Sequence, residues 1–241
     1  MPKQPHELVF GSFITPSADQ VDQVVALTRL SERAGLDIAT FQDHPYQPRL
    51  LDSWTLISYL AAATSRIKLA PNVMNLPMRQ PVVIARGAAT LDLLSGGRVE
   101  LALGAGGFWD AIEAIGGRRL TPGESVDALE EAITIIREMW DTETRGAVRM
   151  DGTHYRLAGA EAVGRDPASV RRLLNIGAPS SAGGSQALGG PLTQWAEQLT
   201  EITLEHGISG YILAGDDPTA IQQFGEEVAP AVRELVGTSR S

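Results

Sequence analysis

The 241-residue chain contains no cysteine, which excludes disulfide bonds, thiolate nucleophiles and thiolate metal ligands. It is short of basic residues: 20 Lys and Arg stand against 29 Asp and Glu, giving a formal charge of −9 and a pI near 4.9. Binding to nucleic acid phosphates needs a basic stripe, and none is visible, so no nucleic acid partner is expected. No apolar run approaches the roughly 18 residues of a membrane span, so no membrane partner is expected either. The amino terminus from Met1 to Glu7 lacks the apolar core of a signal peptide, and the expected location is the cytoplasm. The four histidines are scattered, with no His-x-x-x-His pair and no carboxylate cluster, so no metal site is expected. The Gly-x-Ser-x-Gly elbow of serine hydrolases is also missing.

A hydrophobic content of 43% with 20% charged residues is that of a soluble globular protein, long enough for one large α/β domain or two small ones. Its apolar pattern alternates between two periods. Leu8–Ile14 reads as a strand and Val21–Ala34 as a helix closed by Gly35; Ile38–Gln42 is the next strand and Asp52–Ala63 the next helix. Ile67–Met74, Pro81–Leu94 and Val99–Leu103 continue the alternation, Glu124–Trp140 is a fourth amphipathic helix, and Ala147–Leu157 reads as a hairpin turning on Asp151-Gly152. Beyond a turn at 161–169 come a strand over Val170–Ile176, a small-residue loop over 178–190 and a helix over Leu192–His206. A strand over Gly210–Ala214 and a closing helix over Pro218–Val236, kinked or broken at Pro230, complete the pattern. Helices of this length cross back over a sheet, so the strands are expected to be parallel with functional loops at their carboxyl ends. About six strand-helix units are present where a barrel of similar length has eight. An open doubly wound sheet normally carries a phosphate loop after its first strand, and here that strand ends in Ile14-Thr15-Pro16 without glycine.

Three places carry unusual residues at expected strand ends. Gly104, Gly106 and Gly107 follow an apolar run and form either a tight turn or a loop whose backbone approaches a ligand. Asp43-His44 ends the second strand, where parallel barrels place catalytic groups; spacing alone does not separate a catalytic imidazole from a surface one beside a capping Asp. Asn72 and Asn75 interrupt an apolar run and need hydrogen-bond partners if buried, which two strand ends tied together would also supply. The rings of Trp109 and Trp140 are expected to pack, and Arg86, Asp92 and Arg98 to be helix-end charges.

Taken together, Gln42-Asp43-His44-Pro45, Pro71-Asn72-Val73-Met74-Asn75-Leu76-Pro77 with Arg79-Gln80-Pro81, Leu94-Ser95-Gly96-Gly97-Arg98 and Leu103-Gly104-Ala105-Gly106-Gly107 resemble the luciferase-like monooxygenase superfamily. The Leu-Ser-Gly-Gly-Arg turn before a glycine-rich strand end is the most specific of these marks. The resemblance covers residues 8 to about 157 and resumes from Gly164-Arg165-Asp166-Pro167 to the closing segment ending at Arg233. It implies a TIM (β/α)8 barrel of the bacterial-luciferase type, a homodimer, and coenzyme F420 (a deazaflavin) or FMN bound at the carboxyl face; Asp43-His44 favours the deazaflavin. It also implies a non-prolyl cis peptide at Asn72-Val73 behind the flavin ring. Cofactor contacts are implied at Asp43, Asn72, Val73, Met74, Gly104, Gly106 and Gly107, and a catalytic role for His44. Relatives that oxidise sugar phosphates carry a Glu where this chain has Gly107, which argues against that substrate class.

In relatives the Gly152-Thr153-His154-Tyr155 hairpin is followed by roughly 60 residues holding strands five and six, assuming ordinary unit lengths. Here they are absent. The expectation is therefore a single barrel domain over residues 1–241 that lacks the strand-five to strand-six segment at the 160/161 junction, either because the protein has lost it or because the sequence omits a stretch there. The expected function is a flavin- or deazaflavin-dependent oxidoreductase that transfers hydride to or from a small organic substrate. A degenerate, non-catalytic barrel that binds a cofactor or acts in assembly is the alternative.

Overall fold

The computed structural model describes residues 7–141, 143, 146–160, 174–177, 188 and 192–239. They fall into two compact units, one within 1–42, 62–69 and 171–241 and the other within 43–61 and 70–170. The expected turn at 161–169, the Gly164-Arg165-Asp166-Pro167 match and the far side of the 160/161 junction lie outside the described residues, as does the loop 178–190 apart from Leu188.

The first unit is built on β1 (Val9–Phe13), β2 (Ile38–Phe41), β3 (Lys68–Pro71), β8 (Leu174–Gly177) and β9 (Gly210–Ala214), in the order β3-β2-β1-β9-β8. β1 pairs in parallel with β2 and β9, and β9 with β8. The four residues of β2 and the first four of β1 are buried, as expected of strands covered on both faces. β3 enters at this sheet's edge through Lys68, whose N–H donates to the Asp37 carbonyl at 2.9 Å.

Helix α1 (Val21–Arg33) buries Val24, Leu27, Thr28 and Ser31, spaced as one face of a helix. The Ser12 and Ser31 hydroxyls meet at 2.8 Å and tie that face to β1. Phe10 is fully buried, with the Tyr211 and Phe224 rings 5.9 and 5.8 Å from it. The Asp37 carboxylate accepts from the Phe10 N–H and from Arg233 Nη2 at 2.8 Å, which brings the closing helix onto the same ring, with the guanidinium 4.8 Å from its centroid. α6 (Leu192–His206) spans the expected residues. The closing segment is α7 (Pro218–Gln223), a π-helical turn at Phe224–Val228 and α8 (Ala229–Ser239). Pro230 has no N–H for the Glu226 carbonyl, and the widened turn just before it lets the helical path continue.

In the second unit, the run expected as one strand to Met74 ends at Pro71 and resumes as β4 (Met74–Asn75), followed by a 3-10 turn at Leu76–Met78. β4 pairs in parallel with β5, which covers Leu103–Gly104 where Val99–Leu103 was expected. α2 (Ser53–Ala63) contributes its residues up to Ala61. α3 (Pro81–Ser95) packs on α5 (Pro122–Trp140) through Ala85, Ala88, Ala132, Ile135 and Met139, all with no exposed surface. Small alanines let the helices approach, while each buried Ile or Met contributes about 1.5–3 kcal/mol. Trp140 packs here too, its Nε1 donating to the Ala85 carbonyl at 3.0 Å. Thr121 and Glu124 cap α5 reciprocally.

The expected hairpin is β6 (Val148–Asp151) paired with β7 (Arg156–Ala160), and its turn runs over Gly152–Tyr155, longer than the Asp151-Gly152 turn expected. The cause is Glu131 on α5, whose carboxylate accepts from the N–H groups of Thr153, His154 and Tyr155 at 2.9–3.0 Å and holds the turn open. α4 (Trp109–Ala114) was not expected, because a six-residue helix after a glycine-rich loop shows too little periodicity. Among the described residues the parallel strands form a five-stranded and a two-stranded ladder, without the continuous ladder of a closed barrel.

Candidate active site

Asp43 follows β2 and is 2% exposed. A buried carboxylate is tolerated only when its lone pairs are occupied. Here Arg79 donates Nε to Oδ2 at 3.0 Å and Nη2 to Oδ1 at 2.9 Å, and the Asn75 N–H donates to Oδ2 at 2.9 Å. Arg79 Nη2 also reaches Asp52 Oδ2 at 2.8 Å, while Asp52 Oδ1 accepts from the N–H and hydroxyl of Thr55 at the start of α2. Burial works against the charged guanidinium, but the hydrogen bonds and charges of Asp43 and Asp52 outweigh it and hold the Arg79 pKa above the ordinary arginine value. Burial likewise works against the Asp52 carboxylate, and the bonds from Arg79 and Thr55 outweigh it and hold its pKa down. This network fixes Asp43 to β4, to the segment after the 3-10 turn and to the mouth of α2.

His44 stands next to this anchor. Its ring stacks on Tyr46 at 5.4 Å and 22°, and Phe108 lies 5.3 Å away, 61% exposed. Burial lowers the imidazole pKa, and the charge of Asp43 opposes that only in part. The imidazole is therefore neutral at pH 7, with one ring nitrogen free of a proton.

The Asn72-Val73 peptide is cis and lies between β3 and β4. Val73 is 41% exposed, whereas the Met74 side chain is buried in the core, so Met74 faces the loop region through its backbone alone, its N–H donating to the Ala102 carbonyl at 2.8 Å. Asn75 pairs with Gly104 in the β4–β5 ladder. A side chain at Gly104 would place Cβ 2.3 Å from Val73 Cγ2, so the strands approach this closely because the position is glycine. Gly106 adopts φ +105° and would put a Cβ 2.8 Å from both Pro77 and Trp109, while Gly107 faces open space.

Asp43, Asn75 and Gly104 are thus linked directly, His44 is linked to Phe108, and Asn72, Val73, Gly106 and Gly107 lie in the adjoining connections. Sequence reasoning singles out neither Arg79 nor Phe108. The Arg of the Arg79-Gln80-Pro81 motif is the signal that finds the first; a single Phe after two glycines carries none for the second. The sequence also groups Asn75 with Asn72, but the structure assigns Asn75 the strand pairing, and its buried Oδ1 accepts no hydrogen bond among the described residues.

That orphaned oxygen, the exposed Val73 and the open space at Gly107 fit a planar, hydrogen-bonding cofactor ring. An F420-dependent secondary alcohol dehydrogenase, solved with an F420-acetone adduct, superposes with a TM-score of 0.75 over 94% of this chain and 99% of its own, at 16% identity. The oxygenating constituent of 3,6-diketocamphane monooxygenase from Pseudomonas putida, solved with FMN, gives a TM-score of 0.56 over 95% of this chain and 64% of its own, at 18% identity. At these identities the likeness establishes the fold, an α/β barrel of the luciferase-like type. In sequence, the F420-dependent glucose-6-phosphate dehydrogenase of Nocardia farcinica is 35% identical over 147 residues, covering 57% of this chain and 42% of the relative. Matched regions amount to roughly two fifths to one half of such relatives' length. Residues 8–188 match the luciferase-like monooxygenase family, and the chain belongs to that family.

Proposed function

We propose that this protein is a coenzyme F420- or FMN-dependent oxidoreductase that transfers hydride to or from a small organic substrate. The observation that carries this reading is the buried, unpartnered Asn75 Oδ1 in the ladder beside Gly104, within a loop set that side chains would fill. Names of similar proteins support both cofactors. When bound, either cofactor supplies the two-electron hydride acceptor or donor.

The chain's own residues bind and orient. Asn72, Val73 and the Met74 backbone would hold one side of the cofactor ring, and Gly104, Gly106 and Gly107 would let the backbone come close to it. Asp43 acts through position: saturated by Arg79 and Asn75, it fixes its own loop to β4. His44, neutral and set between Tyr46 and Phe108, accepts at its unprotonated nitrogen the substrate proton released when hydride leaves, or returns it in the reverse direction. Gly107 stands where sugar-phosphate-oxidising relatives carry a Glu, so a different substrate class is proposed.

One barrel domain over 1–241, lacking the strand-five to strand-six segment, is part of the same reading, as are a homodimer, a cytoplasmic location and no nucleic acid partner. No helix of the described residues is long and apolar enough to cross a membrane. Titrating the purified chain with F420 and with FMN, followed by absorbance and fluorescence, tests the proposal. Saturable binding of one, weakened by Val73→Asp, is expected; binding of neither would end it.

A further inference from the structure

A cavity of about 460 Å³ opens within the second unit between the 3-10 turn, the segment Gly116–Leu120, α5 and the hairpin, and it reaches Ala105 in the glycine loop. That volume is within the range of small-molecule pockets. Its charge is unlike the rest of the chain. Among the described residues the lining holds Arg79, Arg118, Arg156 and His154 and neither Asp nor Glu, although the protein carries a formal charge of −9.

Two of the three guanidinium groups are already matched. Arg79 is bound by Asp43 and Asp52, and Arg156 by Asp151 at 3.2 Å in solvent. Arg118 is different: among the described residues it has no carboxylate hydrogen-bonded to it, and its Nη2 meets His154 Nδ1 at 3.5 Å. The nearby carboxylates spend their hydrogen bonds elsewhere, Glu131 on the backbone of residues 153–155 and Glu124 on Thr121, though the charge of Glu124 still acts on Arg118 and His154. Val82, Ile135 and Leu157 make part of the wall apolar.

We propose that this cavity binds a small molecule with an apolar body and a terminal oxyanion, held by Arg118 with His154 beside it, and that this molecule is the substrate. The assignment as substrate rests on the reading that the loop at Ala105 holds the cofactor; the oxyanion site does not. A guanidinium with no hydrogen-bonded carboxylate among the described residues, at the edge of a partly apolar pocket, selects a carboxylate or phosphate over a neutral group of the same shape.

Calorimetry on the purified, cofactor-free chain tests this with octanoate and its neutral isostere octanamide. Octanoate should bind at least about tenfold more tightly than octanamide, Arg118→Gln should remove that preference and Arg118→Lys should keep part of it, with unchanged circular dichroism in both variants. Equal binding of the two probes, no octanoate binding, or an unaltered preference in Arg118→Gln overturns the proposal. FMN and riboflavin distinguish the source of the oxyanion: Arg118→Gln weakening FMN alone would assign the cation to the cofactor's phosphate and overturn the substrate assignment. Octanoate bound selectively by a chain that takes neither cofactor supports the oxyanion site and ends only the hydride-transfer reading.

Discussion

Asp43 and Arg79, 36 residues apart in sequence, form a two-pronged ion pair in which the carboxylate is 1% exposed and the guanidinium 23%. Such a pair holds geometry more than it adds net stability, because desolvation offsets much of its attraction. Removing one partner is costly, since the other charge stays buried. Arg79→Gln should lower unfolding free energy by about 3 kcal/mol in urea titrations. Asp43→Asn combined with Arg79→Gln should recover part of that loss, and a double variant as unstable as the sum of the singles would show that the pair is not coupled.

His44 gives a pH signature whose sign follows from its lowered pKa. The unfolded chain takes up the proton at a higher pH than the folded one, so stability is complete above the ordinary imidazole value and falls as pH drops through the folded value. NMR titration should place His44 below ordinary imidazoles, and the acid-side slope of stability should flatten in His44→Gln. Turnover should respond separately: His44→Ala should reduce kcat about a hundredfold or more while Tm changes little. Matching losses of turnover and stability would assign the ring a packing role.

Gly104→Ala forces a methyl group to within 2.3 Å of Val73 Cγ2. Displacing Val73 should cost about 1–3 kcal/mol of stability and weaken F420 or FMN binding. Val73→Asp, at a 41% exposed position, should abolish binding with a smaller loss of stability. Unchanged affinity in both variants, by fluorescence titration, would remove this strand junction from the site.

Glu131 offers a test away from the proposed catalytic groups. Burial raises its pKa, but the three backbone bonds from the hairpin turn outweigh that and leave it lowered. Its stabilising contribution is therefore present above the unfolded carboxylate pKa and lost as pH falls through the lower folded value. Glu131→Ala should speed amide exchange at Thr153, His154 and Tyr155, and Glu131→Gln, which keeps an acceptor oxygen, should do so less.

Much of the framework was legible because its determinants are local. The apolar spacing over Val21–Ala34 predicts the helix α1, whose buried face also takes in the polar Thr28 and Ser31, and α6 and β9 match the apolar pattern residue for residue. Strand ends were less legible: the break at Asn72-Val73 and the shortening of β5 arise where two strands meet at Gly104, a constraint carried by residues far apart in the chain. The glycines, His44 and the asparagines were visible as unusual residues at strand ends, and the roles proposed for them come from the family resemblance.

By itself, then, the sequence determined the alternation of strands and helices, the absence of thiol chemistry and the family, since each is encoded by composition, periodicity or contiguous motif. Only the tertiary structure decided that Arg79 saturates Asp43, that Phe108 faces His44, that Met74 turns into the core and Asn75 is left with a buried free oxygen. Those outcomes depend on which distant segments are brought together. A bidentate pair across 36 residues or a close approach at a glycine is set by packing, and no local pattern encodes it.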